Sequence, residues 1–336
     1  MKGLRQNKVE VVECNDHSPS VLKYIKLSYK YLTIKKDFDM VLVAFPGYQT
    51  TILIKLLMLL NPFKVSKPIV FDSFFSVYNM AVEDRKVVKS TSLKAKYYWY
   101  LDKLSCWWAD RVLLDTNANI EFFIKKFNFP REKFIRVFVG TDGDFFYPRS
   151  VAKPNGNFLV HFHGNFIPLQ GAEHIIKSAH VLRNEDVRFQ IIGKGQEYPR
   201  VKKIADELNL TNITWIDRVL YEELPDYINR ADVCLGGFGD TEKANIVSLN
   251  KLFEYMACGK AIITGEGASS LELLENGESA IFCRRANPRD LADKILALKN
   301  DLNMIGILVQ NARKKFEESY TPQIIAKELL RNLTRI

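Results

Sequence analysis

Residues 246–272 read IVSLNKLFEYMACGKAIITGEGASSLE, a loop, a helix, a glycine turn and a buried strand in succession. Leu252, Phe253 and Met256 make an apolar stripe that predicts a helix over 250–258. Asn250 stands where an N-cap belongs, and Gly259 where a left-handed residue ends a helix. The run 261–264, between Gly259 and Gly265, is continuously apolar, as in a parallel strand covered on both faces. Lys251 and Glu254 are three residues apart and share one helix face. A helix start aimed at a ligand, with a cation and a carboxylate on that face, suits an anionic, hydroxyl-rich molecule such as a sugar nucleotide. An ordinary surface Lys–Glu pair is the plainer alternative.

The same alternation extends in both directions. Upstream, apolar runs at 9–13, 38–45, 68–71, 110–116 and 135–139 read as strands. Between them, 20–32, 50–60, 93–108 and 119–127 carry helical periodicity, and Pro62 stops the second of these helices. A Gly- and Pro-rich segment at 140–157 marks a domain boundary. Strands then recur at 158–162, 187–192, 213–216, 232–235 and 280–283, with helices between and after them and a helical tail broken near Tyr320-Thr321-Pro322. This pattern predicts an α/β fold of two Rossmann-like, doubly wound domains facing a cleft. The expected division is 1–150, 151–315 and a C-terminal helix within 316–336 that packs back towards the N-terminal domain.

Composition narrows the function. Residues 1–150 hold 24 Lys/Arg against 15 Asp/Glu, so the whole net charge of +9 lies in the first part of the chain. Its lysines are interleaved with aromatic and aliphatic residues in KYIKLSYKYLTIKK (23–36) and KAKYYWYLDKLSCWW (94–108). Such a surface fits an acidic membrane or a phosphate-bearing acceptor. No nucleic-acid recognition module is present. Five scattered cysteines without a CxxC predict neither a disulfide framework nor a zinc site, and a reducing, cytoplasmic setting. The start of the chain has no signal-peptide pattern, and the longest apolar run is too short to span a bilayer.

Four segments carry a family resemblance. VGTDGDFFYP (139–148), HFHGNFIPLQGAEHIIKSA (161–179), FQIIGKGQE (189–197) and NKLFEYMACGKAIIT (250–264) resemble, in the same order along the chain, motifs of the retaining glycosyltransferases of family 4, which have the GT-B fold. The resemblance implies a transferase that moves a sugar from a UDP- or GDP-linked donor to an acceptor in surface polysaccharide or glycolipid synthesis. The acceptor is lipid-linked or free, the protein sits on the inner membrane face or in the cytoplasm, and neither cofactor nor metal is needed. Gly164 and Gly171 would bring backbone close to a diphosphate, Gly193-Lys194-Gly195 would lie against a base, and Arg218 would flank it. Glu254 would hold ribose hydroxyls, with Asn250 at the donor and Lys251 or Lys243 near the phosphates.

The departures are equally specific. Asn165 and Gln170 replace the family's usual Arg and Lys, and Ile246 stands where a Glu commonly precedes Glu254 by eight residues. Glu242 or Asp240, in the polar loop 239–245, is the expected substitute acid, with Lys243 in the same loop beside the donor sugar. Asp72, at the tip of the strand 68–71, takes the place of a frequent His and joins Lys243 and Glu242 as a candidate catalytic group; a helix-capping role is its alternative. The family's first strand is apparently lacking. A non-catalytic sugar-nucleotide-binding homologue and a sugar-nucleotide epimerase are the alternatives to a transferase.

Overall fold

The computed structural model describes residues 1–34, 37–60, 67–153 and 156–333. Pro62, expected to end a helix, and the lysines at 35 and 36 lie outside the described residues. The chain divides into two compact units, Met1–Val137 with the stretch from Ala326, and Phe138–Ile325.

The first unit is built on a parallel sheet of four strands in chain order: β1 (Val41–Val43), β2 (Ile69–Phe74), β3 (Arg111–Leu114) and β4 (Phe134–Arg136). Ile69, Val70, Phe71 and Val112 are fully buried, as continuously apolar central strands require. The helix Leu93–Trp108 begins at Ser92, whose hydroxyl accepts the Ala95 N–H. Its buried Asp102 accepts from the Ser76 hydroxyl at 2.6 Å and from the Val77 and Tyr78 N–H groups, tying the helix to the segment after β2. Leu329 and Leu333, on the helix Pro322–Leu333, pack against Val70, Leu113 and Ile135.

Two expectations change here. The run 9–13 forms no strand and pairs with none among the described residues; Val12 and Glu13 are exposed, so alternation without a neighbouring strand made no ladder. Asp72 does not sit at a strand tip. β2 continues to Phe74 because it keeps pairing with β3, through an irregularity between Asp72 and Phe74, so Asp72 lies inside the strand and caps no helix.

The second unit holds six parallel strands: β5 (Phe158–His163), β6 (Val187–Ile192), β7 (Ile213–Ile216), β8 (Val233–Leu235), β9 (Ala261–Gly265) and β10 (Ile281–Cys283). Their order is β10-β9-β8-β5-β6-β7. The chain runs outward from β5 to β7, then returns to β8 on the other side of β5. That reversal is the switch point where the carboxyl ends of such strands open a ligand crevice. Alternate residues feed two apolar layers. Val160, Phe162, Phe189, Ile191, Leu235 and Ile263 enter one. Ile192, Cys234 and Ile262, with Leu252, Phe253 and Met256 of the helix Asn250–Ala257, enter the other.

Candidate functional site

The segment after β5 is shaped by backbone demands. Gly164 has φ +152°, and a side chain there would point at the Lys251 ammonium 2.9 Å away. The chain turns through Pro168–Gln170 and enters the helix Ala172–Val181 at Gly171, φ +61°, with no side chain capping the helix start. A Cβ on Gly171 would fall 2.4 Å from the Gly239 nitrogen, and the Phe238 N–H donates to the Gln170 carbonyl at 3.0 Å. The uncapped N–H groups of a ten-residue helix therefore begin directly beside the carboxyl ends of β5 and β8. Asn165 is exposed on the turn, and Gln170 is buried under it.

The glycines of Gly193-Lys194-Gly195 are required by a neighbouring loop. A Cβ on Gly193, φ +127°, would lie 2.1 Å from the Gly164 oxygen, and one on Gly195 2.7 Å from the Phe166 backbone. The Gly164 N–H donates to Ile192 and the Phe166 N–H to Lys194, so the two loops lock backbone to backbone. Lys194 pairs with Asp217 at 2.6 Å, and the adjacent Arg218 is exposed.

The helix Asn250–Ala257 follows the opening stretch of sequence closely, with one correction. Leu249, not Asn250, is its N-cap residue, and no side chain caps it; Asn250 is already in the first turn because the helix takes up its backbone. Gly259 is left-handed at φ +60°, and the Lys260 N–H returns to the Tyr255 carbonyl, which closes the helix end. Lys251 and Glu254 turn to different partners. The Lys251 Nζ donates to Gln170 Oε1 at 2.6 Å and sits 3.7 Å from the centroid of the Phe162 ring. Glu254 Oε2 is 2.8 Å from His163 Nε2. Burial pushes the Lys251 amine well below the ordinary lysine range, and the Glu254 charge draws it partly back. A buried amine and a partly exposed carboxylate thus stand at the ends of β5 and β8, beside an uncapped helix start.

The expected polar loop 239–245 contains the short helix Glu242–Ile246, capped by the Thr241 hydroxyl on the Ala244 N–H. Glu242 is exposed and Lys243 buried, so neighbouring candidates point to opposite environments. Ile246 is buried as well. In the first unit, burial raises the Asp72 carboxyl to about 6, against a hydrogen bond from the Phe45 backbone that lowers it.

Sequence reading missed His161, His163, Gln190 and Tyr255. His161 and His163 are alternate residues of β5, and Gln190 is the registered partner of His161 on β6, so all three face one layer. The signal was HFH inside a strand otherwise apolar on both faces.

Residues 144–315 match the model of a family described as glycosyl transferases group 1. Over 165 residues the chain is 26% identical to an uncharacterized glycosyltransferase of Methanocaldococcus jannaschii, MJ1178, covering 48% of this chain and 43% of that protein. Over 185 residues it is 24% identical to the capsular polysaccharide biosynthesis glycosyltransferase CapM of Staphylococcus aureus, covering 52% and 45%. The chain thus spans about half the length of these curated relatives. Among solved structures, Anabaena HepE in complex with UDP and glucose superposes with a TM-score of 0.70 at 15% identity, over 99% of this chain and 88% of that one. The fold of the two units is therefore of the GT-B type.

Proposed function

The chain belongs to the glycosyl transferases of group 1, and from that premise we propose that it is a retaining hexosyl- or related transferase of family 4. The donor is a UDP- or GDP-linked sugar held by the second unit, without a further cofactor or metal. The observation that carries this reading is the placement of Lys251 and Glu254 on one helix beside the uncapped start of Ala172–Val181, at the switch point of the sheet. Main-chain N–H groups and the Lys251 ammonium stabilise the leaving diphosphate, where charge develops as the glycosidic bond breaks. Glu254 accepts from ribose hydroxyls. HepE, with its bound UDP and glucose, and CapM, named for capsular polysaccharide synthesis, support this class of donor and product.

The acceptor in this reading is lipid-linked and met on the inner face of a membrane. No helix among the described residues is long and apolar enough to cross one. The helix Leu93–Trp108 supports surface contact: Leu93, Tyr97, Tyr100, Leu104 and Trp107 are exposed at helical spacing along one face, flanked by Lys94, Lys96 and Lys103. Sedimentation with phosphatidylglycerol vesicles, but not with phosphatidylcholine vesicles, tests it; loss of binding is expected when Tyr100 and Trp107 are both replaced by Ser.

The decisive experiment is a thermal-shift panel of UDP, GDP, ADP and CMP and their sugars, since a ligand of the folded state raises its melting temperature with occupancy. UDP or GDP is expected to give a shift. No shift from either overturns the reading. Buried Ile246, where the family commonly carries a Glu, favours a non-catalytic donor-binding homologue as the second reading. Transfer to an added acceptor, assayed beside binding, separates the two, and a new sugar nucleotide formed from donor alone would indicate epimerisation.

A further inference from the structure

Behind Glu254 a line of hydrogen bonds runs into the interior of the second unit. Glu254 Oε2 lies 2.8 Å from His163 Nε2, His163 Nδ1 lies 2.9 Å from His161 Nε2, and His161 Nδ1 lies 2.8 Å from Gln190 Nε2. The Gln190 amide nitrogen also donates to the Tyr227 carbonyl at 3.1 Å. His161 is fully buried and Gln190 nearly so.

The direction of this line follows from its far end. The Tyr227 carbonyl can only accept, so the end of Gln190 facing it is the NH2 group. Its second hydrogen points at His161 Nδ1, which must accept. His161 then carries its proton on Nε2 and donates it to His163 Nδ1. His163 in turn carries its proton on Nε2 and donates it to Glu254 Oε2. A protonated His163 would set two N–H groups against each other at 2.9 Å, so both rings are neutral in this arrangement. Burial pushes both imidazoles below the usual histidine range. At His161 the nearby His163, Lys251, Lys260 and Arg230 add to it; at His163 Glu254 opposes it and Lys251 adds to it. The Tyr255 hydroxyl, 3.2 Å from the Leu235 carbonyl and 3.3 Å from His163 Nδ1, stands at the side of the line.

We propose that Gln190, His161 and His163 are positioning residues that hold Glu254 through one directed N–H on Oε2, leaving Oε1 to receive the hydroxyl protons of a bound ribose. This rests on the reading of Glu254 as the ribose-holding carboxylate. A seam of three polar side chains in a layer otherwise made of Ile192, Cys234, Ile262 and Leu252 adds little net stability over apolar side chains of similar volume. What it supplies is one rotamer of a partly exposed acid, selected by a carbonyl on the helix Leu224–Asn229 at the far end of four successive hydrogen bonds.

Two measurements test it. Long-range proton–nitrogen NMR of the imidazoles is expected to show both rings as neutral Nε2–H tautomers at neutral pH. In Gln190→Glu the new carboxylate can only accept, so His161 must carry a proton on Nδ1 as well as on Nε2 and is expected to appear as an imidazolium, with His163 still a neutral Nε2–H tautomer. A His163 found with its proton on Nδ1 in the parent chain overturns the proposal, and so does a Gln190→Glu spectrum identical to the parent. Second, affinities for UDP and GDP are compared with those for their 2′,3′-dideoxy forms. Glu254→Ala is expected to erase the preference for the hydroxylated form. His163→Leu is expected to reduce it about tenfold, and His163→Gln, which restores a donor at the Nε2 position, to recover it. An unchanged preference in Glu254→Ala removes the ribose reading and the proposal with it. An effect in Glu254→Ala with none in His163→Leu overturns the proposal alone.

Discussion

Lys251 Nζ rests 2.6 Å from Gln170 Oε1, while Glu254, on the same helix, is bound to His163. The glutamine at position 170 is therefore more than a missing cation. A lysine there would set two ammonium groups together in a site where one is already buried, whereas the amide oxygen accepts from the ammonium that remains.

From this contact follows a separation of stability from binding in Lys251→Met. The methionine keeps most of the volume and removes a buried amine, so chemical denaturation is expected to show unchanged or slightly raised stability, by about 1 kcal/mol. Calorimetric affinity for a nucleoside diphosphate is expected to fall roughly tenfold to a hundredfold, the contribution of charged hydrogen bonds to phosphate. A stability loss with unchanged affinity would place Lys251 in the scaffold only.

The lowered Lys251 pKa makes binding take up protons. An anionic diphosphate raises the amine back towards its ordinary value, about 10.4, so the complex holds more protons than the free protein between the two values. Affinity is expected to decline as pH rises through that window. Titrations in two buffers of different ionisation enthalpy should report net proton uptake in the parent chain and less in Lys251→Met.

Acid should weaken the second unit through His161 and His163. Both are held below their unfolded value, about 6.5, so the unfolded chain binds more protons as pH falls past it. Their contribution is complete above that pH and is lost below it, at up to about 1.4 kcal/mol per pH unit for each ring. Urea unfolding followed by Trp215 fluorescence, with the other tryptophans replaced by Phe, is expected to show this slope between about pH 6.5 and 5, and a shallower one in His161→Leu.

Asp72 has the opposite sign. Its carboxyl is raised to about 6 in the folded state from an ordinary 3.8, so it disfavours the fold once pH climbs through that range. Asp72→Asn is expected to gain about 3 kcal/mol at pH 8 and to gain nothing at acid pH, below the ordinary carboxylate value. An equal gain at both pH values would show that ionisation is not its cause.

Gly193→Ala tests the locking of the two loops. The new methyl would need to enter within 2.1 Å of the Gly164 oxygen in a backbone conformation that suits glycine. A loss of about 3 kcal/mol or more is expected, measured by urea midpoint. A loss near that of an ordinary surface substitution would mean that the loops part easily.

The apolar and glycine spacing of 246–272 determined, with no other information, a helix, a left-handed stop at Gly259 and a buried strand, because i, i+3 and i+4 spacing and backbone permissiveness are local properties of a chain. The same rules placed the alternation of strands and helices and brought Lys251 and Glu254 onto one helix. They misplaced 9–13, where a strand needs a neighbour, and the Asn250 cap, where a helix could begin one residue earlier than its signal. Only the folded chain decided what Lys251 and Glu254 touch. Gln170 and His163 lie 81 and 91 residues from them, and nothing in local spacing couples residues so far apart. The glycines at 193 and 195 show the same division: their freedom is written in the sequence, but its use, to let one loop rest on another, arises when β5 and β6 pair and bring their ends together.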